Sequence, residues 1–144
     1  MLPSLEIAGP GMHWVEVSRA IGKTPPDVEP MVEAYSEYHA AARTAMRDGA
    51  TAHDVHRAVS RGFTERGYHL GHVTGHSIGM TMIEHPRVGE GLETVLRAGM
   101  VLSMHPHAIA GDGQSCLYMQ DTWLVGADGG EPLSRLPMRV FPGG

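Results

Sequence analysis

The chain has 144 residues, 42% of them hydrophobic and 19% charged, a length and apolar share that suit one folded domain with its own core and exclude disorder and collagen-like repetition. No run of about 18 apolar residues is present, and Met1-Leu2-Pro3 lacks the charged and apolar regions of a signal peptide, so the sequence predicts a cytoplasmic protein without a membrane span. The net charge is −5 and the eleven basic residues are scattered, which excludes a phosphate track for nucleic acid.

From Leu5 to Val17 the pattern is extended on both sides of Gly9-Pro10-Gly11 and reads as a hairpin. Glu6 and Glu16 then lie on opposite arms. The prolines of Lys23-Thr24-Pro25-Pro26-Asp27 make that segment a connector. Met31, Tyr35, Tyr38, Ala42 and Met46 recur at helical spacing, and Asp48-Gly49 ends that helix. Thr51 caps a second helix, with Asp54 as an approximate capping box, Val55, Val59 and Phe63 as its buried stripe, and Gly67 as its stop. Beyond Gly67 the sequence predicts β-runs over Tyr68 to Val73, Ile78 to Ile83, Met100 to Ile109 and Cys116 to Val125, and a tail over Phe141-Pro142-Gly143-Gly144. The expected class is α+β, in one domain spanning residues 1–144.

Cys116 is the single cysteine, so it closes no disulfide within the chain and builds no cysteine-based zinc site; it reads as a small buried hydrophobe. Ten histidines carry more information, because imidazole is the commonest metal ligand and acid/base group, and six lie between His69 and His107. Glycines flank His76 in Gly75-His76-Ser77, allowing close backbone approach around its ring, and His72 stands four residues earlier. In Ser103-Met104-His105-Pro106-His107, residues two apart in a strand share a face, so His105 and His107 point the same way while Pro106 breaks the ladder between them. Gln120 and Asp121 interrupt an otherwise apolar run, and polar groups at such positions are costly unless used.

These residues resemble the creatinase, Xaa-Pro dipeptidase and methionine aminopeptidase superfamily, whose catalytic domain is the pita-bread fold. The matching stretches are Gly75-His76-Ser77-Ile78-Gly79, Glu84-His85-Pro86-Arg87-Val88, Gly99-Met100-Val101-Leu102-Ser103-Met104, Asp121-Thr122-Trp123-Leu124-Val125 and Gly130-Glu131-Pro132-Leu133-Ser134. The resemblance implies a pita-bread domain truncated to its C-terminal portion: hairpin, two helices and a curved antiparallel sheet. The family's five metal-ligand positions would fall on Glu6, Glu16, His76, His105 and Gln120, where family peptidases carry Asp, Asp, His, Glu and Glu. His72 matches an auxiliary histidine, and the further histidine seven residues after the ligand histidine is Ile83 here.

Charge then limits the chemistry. Two divalent ions are balanced by four carboxylates in the peptidases, and at most two remain here, which argues against a dinuclear site. Three readings follow. The first is a creatinase-like hydrolase or lyase acting on a C–N or related bond of an amino-acid-derived small molecule, with His76, His72, His105 and His107 in catalysis and Glu6, Glu16 and Gln120 binding substrate. The second is a metal-dependent Xaa-Pro-type aminopeptidase with one iron, manganese or zinc ion on His76, His105, Glu6 and Glu16. The third is a non-catalytic pita-bread subunit or ligand-binding remnant. The shortened domain further implies a homodimer, or a complex with a partner supplying the missing half-domain.

Overall fold

A computed structural model describes residues 2–143. The expected hairpin is β1 (Ser4–Ala8) and β2 (Trp14–Ser18), paired so that Leu5 faces Val17, Glu6 faces Glu16 and Ile7 faces Val15. Strand alternation sends the glutamates to one face and the four aliphatic side chains to the other. Leu5, Ile7 and Val15 are exposed there. The second arm is stitched to the body of the molecule: Glu16 N–H donates to Thr122 Oγ1 at 2.9 Å, and Ser18 exchanges backbone bonds with Gln120 at 3.1 and 3.2 Å.

Helix α1 (Glu29–Ala45) begins with Pro30 in its first turn, where a missing N–H costs nothing, and buries Met31, Ala34, Tyr35, Tyr38 and Ala42 along the expected stripe. Helix α2 (Ala52–Thr64) is capped by Thr51, whose Oγ1 accepts from the Asp54 N–H at 3.0 Å while its hydroxyl donates to the Asp54 carboxylate at 2.9 Å. Val55, Val59 and Phe63 are buried against α1, where the Phe63 and Tyr35 rings meet edge to face at 4.9 Å. Among the described residues no helix is long and apolar enough to cross a membrane.

The remaining strands are β3 (His69–Leu70), β4 (Gly75–Ser77), β5 (Glu84–Val88), β6 (Val101–Met104), β7 (His107–Ile109), β8 (Cys116–Tyr118), β9 (Asp121–Val125) and β10 (Gly130–Pro132). They form a five-stranded sheet in the order β10-β9-β6-β4-β5 and a three-stranded sheet in the order β3-β7-β8, with every pairing antiparallel. Trp123 on β9 is fully buried beneath α1, and its indole N–H donates to Tyr38 Oη at 3.1 Å. Gly75 is required for close packing, because a Cβ there would lie 2.5 Å from the Ser103 carbonyl oxygen on β6.

Five sequence expectations are corrected. The Met100 to Ile109 and Cys116 to Val125 runs each divide in two, leaving one sheet at His105-Pro106 and the other at Met119-Gln120. Pro106 has no N–H for a ladder, and the Tyr35 hydroxyl fills the gap, meeting the Pro106 and Leu117 carbonyls and accepting from the Met119 N–H. Ile78 to Ile83 is a turn instead of a strand, because the Glu84 carboxylate collects the Thr81 N–H and hydroxyl at 2.8 and 3.2 Å, competing with a ladder. Cys116 is exposed at the start of β8, not buried. Of the expected tail, Gly144 lies outside the described residues, while Phe141 is docked: its N–H donates to Ala20 O at 2.8 Å and Arg139 stacks over its ring.

Asp121 is fully buried and accepts from one Arg19 guanidinium nitrogen with both oxygens at 2.9 Å; that guanidinium also reaches the Ser18, Gln120, Leu136 and Pro137 carbonyls. Removing one partner of such a pair leaves a buried charge uncompensated. Asp121→Ala is therefore expected to lower unfolding free energy by about 3–5 kcal/mol, against about 1 kcal/mol for the cap variant Thr51→Ala, both read from urea denaturation.

Candidate active site

The register of the hairpin settles where the glutamates go. Glu6 and Glu16 are opposite one another on the face turned toward the histidines, and both line a cavity of about 280 Å³ together with His72, His76, His105, Arg87, Tyr118 and Gln120. Glu6 stands exposed at its mouth, with the Ser4 hydroxyl donating to it at 3.2 Å. Glu16 is 2% exposed. Its Oε2 accepts from the Ser103 hydroxyl and the Gln120 side-chain amide, and the same amide nitrogen donates to Ser103 Oγ at 2.9 Å.

His76 lies 3.8 Å from this carboxylate through Nε2. Its Nδ1 is 3.0 Å from the Ser77 carbonyl oxygen, which only accepts, so Nδ1 carries a proton and Nε2 is the ring nitrogen that faces Glu16 and the cavity. His72 has the same arrangement, with Nδ1 donating to Val73 O at 2.7 Å. The rings form a continuous group: His76 to His105 at 4.9 Å, His105 to His72 at 5.0 Å and His72 to His107 at 5.5 Å between centroids, with Tyr118 stacked 5.9 Å from His105.

Burial governs the charges. It pushes Glu16 above the usual carboxylate range, opposed by the Ser103 hydroxyl and by His76 and reinforced by Glu6. Burial also lowers His105 to about 3, with His76 and His72 adding repulsion, and lowers His107 by burial and His72. Tyr118 rises to about 12, from burial first and then from Glu16 and Glu6. His105 is thus a neutral ring at any physiological pH. Of the buried atoms without a hydrogen-bond partner among the described residues, two belong to cavity-lining side chains, His105 Nδ1 and Gln120 Oε1.

Sequence reasoning named most of this wall and missed three members. Ser103 stands two residues before His105, and Tyr118 two before Gln120, so strand alternation was the available signal for both. Arg87 is the register partner of His76 across β4 and β5, and no ion-pair partner for it is present among the described residues. His107 is corrected in the other direction: it does not line the cavity, and its ring packs behind His72 over Gly71, where a Cβ would lie 2.8 Å from His107 Nδ1. Asp121 faces Arg19 on the opposite side of β9 from Gln120. Ile83 lines the cavity where the resemblance would put a histidine.

The model of metallopeptidase family M24 matches residues 9–127. The chain belongs to that family. A probable dipeptidase PepE of Mycobacterium tuberculosis is 31% identical over 136 residues, 92% of this chain and 36% of the relative. The crystal structure of dipeptidase PepE from Mycobacterium ulcerans superposes with a TM-score of 0.84 at 27% identity, covering 98% of this chain and 39% of that one. The prolidase from Pyrococcus horikoshii gives 0.84 at 25% identity over 94% of this chain and 40% of that one. The M24 chain therefore has the α+β architecture of the C-terminal portion of the pita-bread fold and spans about two fifths of these relatives' length.

A metallopeptidase family implies a metal, and the donor set of this M24 chain does not fit one. The Glu16 oxygen nearest His76 is already committed to two donors, Gln120 contributes an amide N–H where a ligand would offer a lone pair, and the Arg87 guanidinium opposes a cation. Among the described residues no group of three or more His, Cys, Asp or Glu side chains is arranged to hold an ion. The residues expected for a single ion, His76, His105, Glu6 and Glu16, all line this one cavity.

The depressed His105 has a consequence for stability. Its folded pKa lies below the ordinary value of 6.5, so between those values the unfolded chain binds a proton that the native state does not, and stability falls as pH drops from 6.5 toward 3. The raised Glu16 acts in the opposite sense, so the comparison of wild type with His105→Gln isolates the histidine. Denaturant titrations are expected to show the wild type losing more stability on acidification, by up to about 1.4 kcal/mol per pH unit.

Proposed function

We propose that this chain is a hydrolase that cleaves a C–N bond in a small amino-acid-derived zwitterion, by creatinase-like acid/base chemistry at His76. The observation that carries this reading is the buried His76 and Glu16 pair, 3.8 Å apart at the wall of the cavity. The dipeptidase relatives support hydrolysis over elimination.

The wall suits a zwitterion. Glu6, Glu16 and the unpartnered Gln120 Oε1 are acceptors that call for N–H donors, as an ammonium supplies, and the unpaired Arg87 guanidinium suits a carboxylate. A volume of about 280 Å³ limits the ligand to a small molecule. With both ends held, His76 Nε2 takes a proton from water as the oxygen attacks the carbon of the C–N bond. The imidazolium formed is stabilised by Glu16, whose position Ser103 and Gln120 fix, and then returns the proton to the departing nitrogen. His105, neutral, stacked on Tyr118 and tilted against His76, fills the wall without competing for that proton.

Turnover of dipeptides and other small amino-acid amides, followed by release of free amine, tests the reading. His76→Ala is expected to reduce kcat by about 10²–10⁴-fold with an unchanged circular dichroism spectrum, and chelator is expected to leave the wild-type rate unaltered. A rate that appears only with added manganese or zinc and vanishes with chelator would transfer the assignment to a metal-dependent peptidase. Absence of turnover in the wild type on every such substrate would favour a ligand-binding subunit.

A further inference from the structure

Tyr118 ends β8 at the wall of the reaction cavity, and its hydroxyl takes no part in the steps given to His76 and Glu16. Strand alternation turns Leu117 into the core and Tyr118 to the histidine side. Three imidazoles hold the ring there: it stacks on His105 at 5.9 Å, stands edge-on to His107 at 5.8 Å and is tilted against His72 at 6.2 Å. His107, which lies outside the cavity, is thus a prop for the phenol. In the core, the Tyr35 and Tyr38 hydroxyls are engaged by backbone and indole partners. No hydrogen-bond partner for Tyr118 Oη is present among the described residues. Burial, with Glu16 and Glu6 adding to it, pushes this phenol up to about 12, so it stays protonated and able to donate.

The wall is rich in acceptors, namely Glu6, Glu16 and Gln120 Oε1, and Arg87 is given to the ligand's carboxylate. An amide has one more polar atom to satisfy, the carbonyl oxygen, which gains negative charge as water attacks. The rings of His76, His105 and Tyr118 follow one another with centroid steps of 4.9 and 5.9 Å, so a single imidazole separates the base from the phenol. A water about 3 Å from His76 Nε2, a carbonyl carbon about 3 Å from that water and a phenol about 3 Å from the carbonyl oxygen fit across such a gap.

We propose that the Tyr118 hydroxyl is the electrophilic donor of the reaction, hydrogen-bonding the substrate's carbonyl oxygen as it becomes an oxyanion, and that the C–N bond cleaved is therefore an amide. The assignment rests on the preceding reading of His76 as the base. As the water oxygen bonds to the carbonyl carbon, the π pair moves onto the carbonyl oxygen and meets the phenol O–H. The proton taken by His76 passes to the nitrogen while the C–N bond breaks and the carbonyl re-forms, leaving a carboxylic acid and an amine. Tyr118 keeps its own proton throughout. A guanidino group has no oxygen on the reacting carbon, so a donor at this point selects amides over guanidino compounds.

Tyr118→Phe keeps the ring and removes only the hydroxyl. It is expected to lower kcat on dialanine by about 10²–10³-fold with KM and the circular dichroism spectrum unchanged. A phosphinic analogue of dialanine carries anionic oxygens where the oxyanion forms, and calorimetry reads its binding without turnover. In a His76→Ala background, adding Tyr118→Phe is expected to weaken the analogue by about 10²-fold and to leave dialanine binding unchanged. An equal loss for the two ligands, no loss for the analogue, or an analogue held no more tightly than dialanine overturns the donor. Dialanine hydrolysis by Tyr118→Phe at the wild-type rate would sink this assignment alone. Selective, Tyr118-dependent binding of the analogue to a protein that hydrolyses no amide would sink the hydrolase reading alone.

Discussion

A carboxylate buried at the meeting point of separate strands is the constraint on which the site depends. Glu16 comes from the hairpin, Ser103 from β6, Gln120 from the link between β8 and β9, and His76 from β4. Burying a charged group is unfavourable unless it is hydrogen-bonded, so the two donors on Glu16 do more than orient it. They lock the hairpin to the sheet at the same place where Thr122 and Gln120 hold its backbone. The hairpin is otherwise thinly supported, since every residue of β1 is exposed and a two-stranded ribbon is marginal by itself.

The same carboxylate explains how an M24 chain can keep the family's architecture with a different polar interior. A centre that binds two cations needs several acceptors converging on one point, each with free lone pairs. In this cavity Oε2 of Glu16 is answered from within, by a hydroxyl and an amide, and a guanidinium stands on the adjoining strand. The substitutions are mutually consistent. A neutral amide at Gln120 and a neutral ring at His105 remove negative charge, and Arg87 has no competing cation beside it. What is left is a wall with acceptors at one side and a cation at the other, and a histidine whose free nitrogen faces the buried acid.

Much of the framework was legible because local signals and tertiary packing agree. The hairpin, the apolar stripe of α1 and the Thr51 cap of α2 depend on periodicity and on bonds between residues close in sequence, and each appears as expected. The resemblance implied His72, His76, His105 and the two glutamates as one group, and the hairpin register is what turns the glutamates into the cavity with those histidines. The later strands were harder. Long β-rich runs do not reveal where a chain changes sheets, and the breaks at Pro106 and Met119 are stabilised by Tyr35 from a helix 71 and 84 residues earlier. The turn over 78–83 owes its shape to a side chain, Glu84, that local apolarity hid.

The sequence by itself determined the family, the α+β class, the two helices and the residue types that the cavity contains, because these are written in spacing and in chemistry that does not depend on direction. Only the tertiary structure decided which polar groups satisfy one another. It turned Gln120 and Ser103 toward Glu16 and Asp121 away toward Arg19, withdrew His107 behind His72, brought Tyr118 and Arg87 into the wall and left Cys116 in solvent. The physical reason is that a lone pair has a direction and burial has a depth. Both are set by strand register and sheet crossing, so which of the histidines and glutamates that read as candidate ligands in the sequence meet one another is decided only once their hydrogen bonds are assigned.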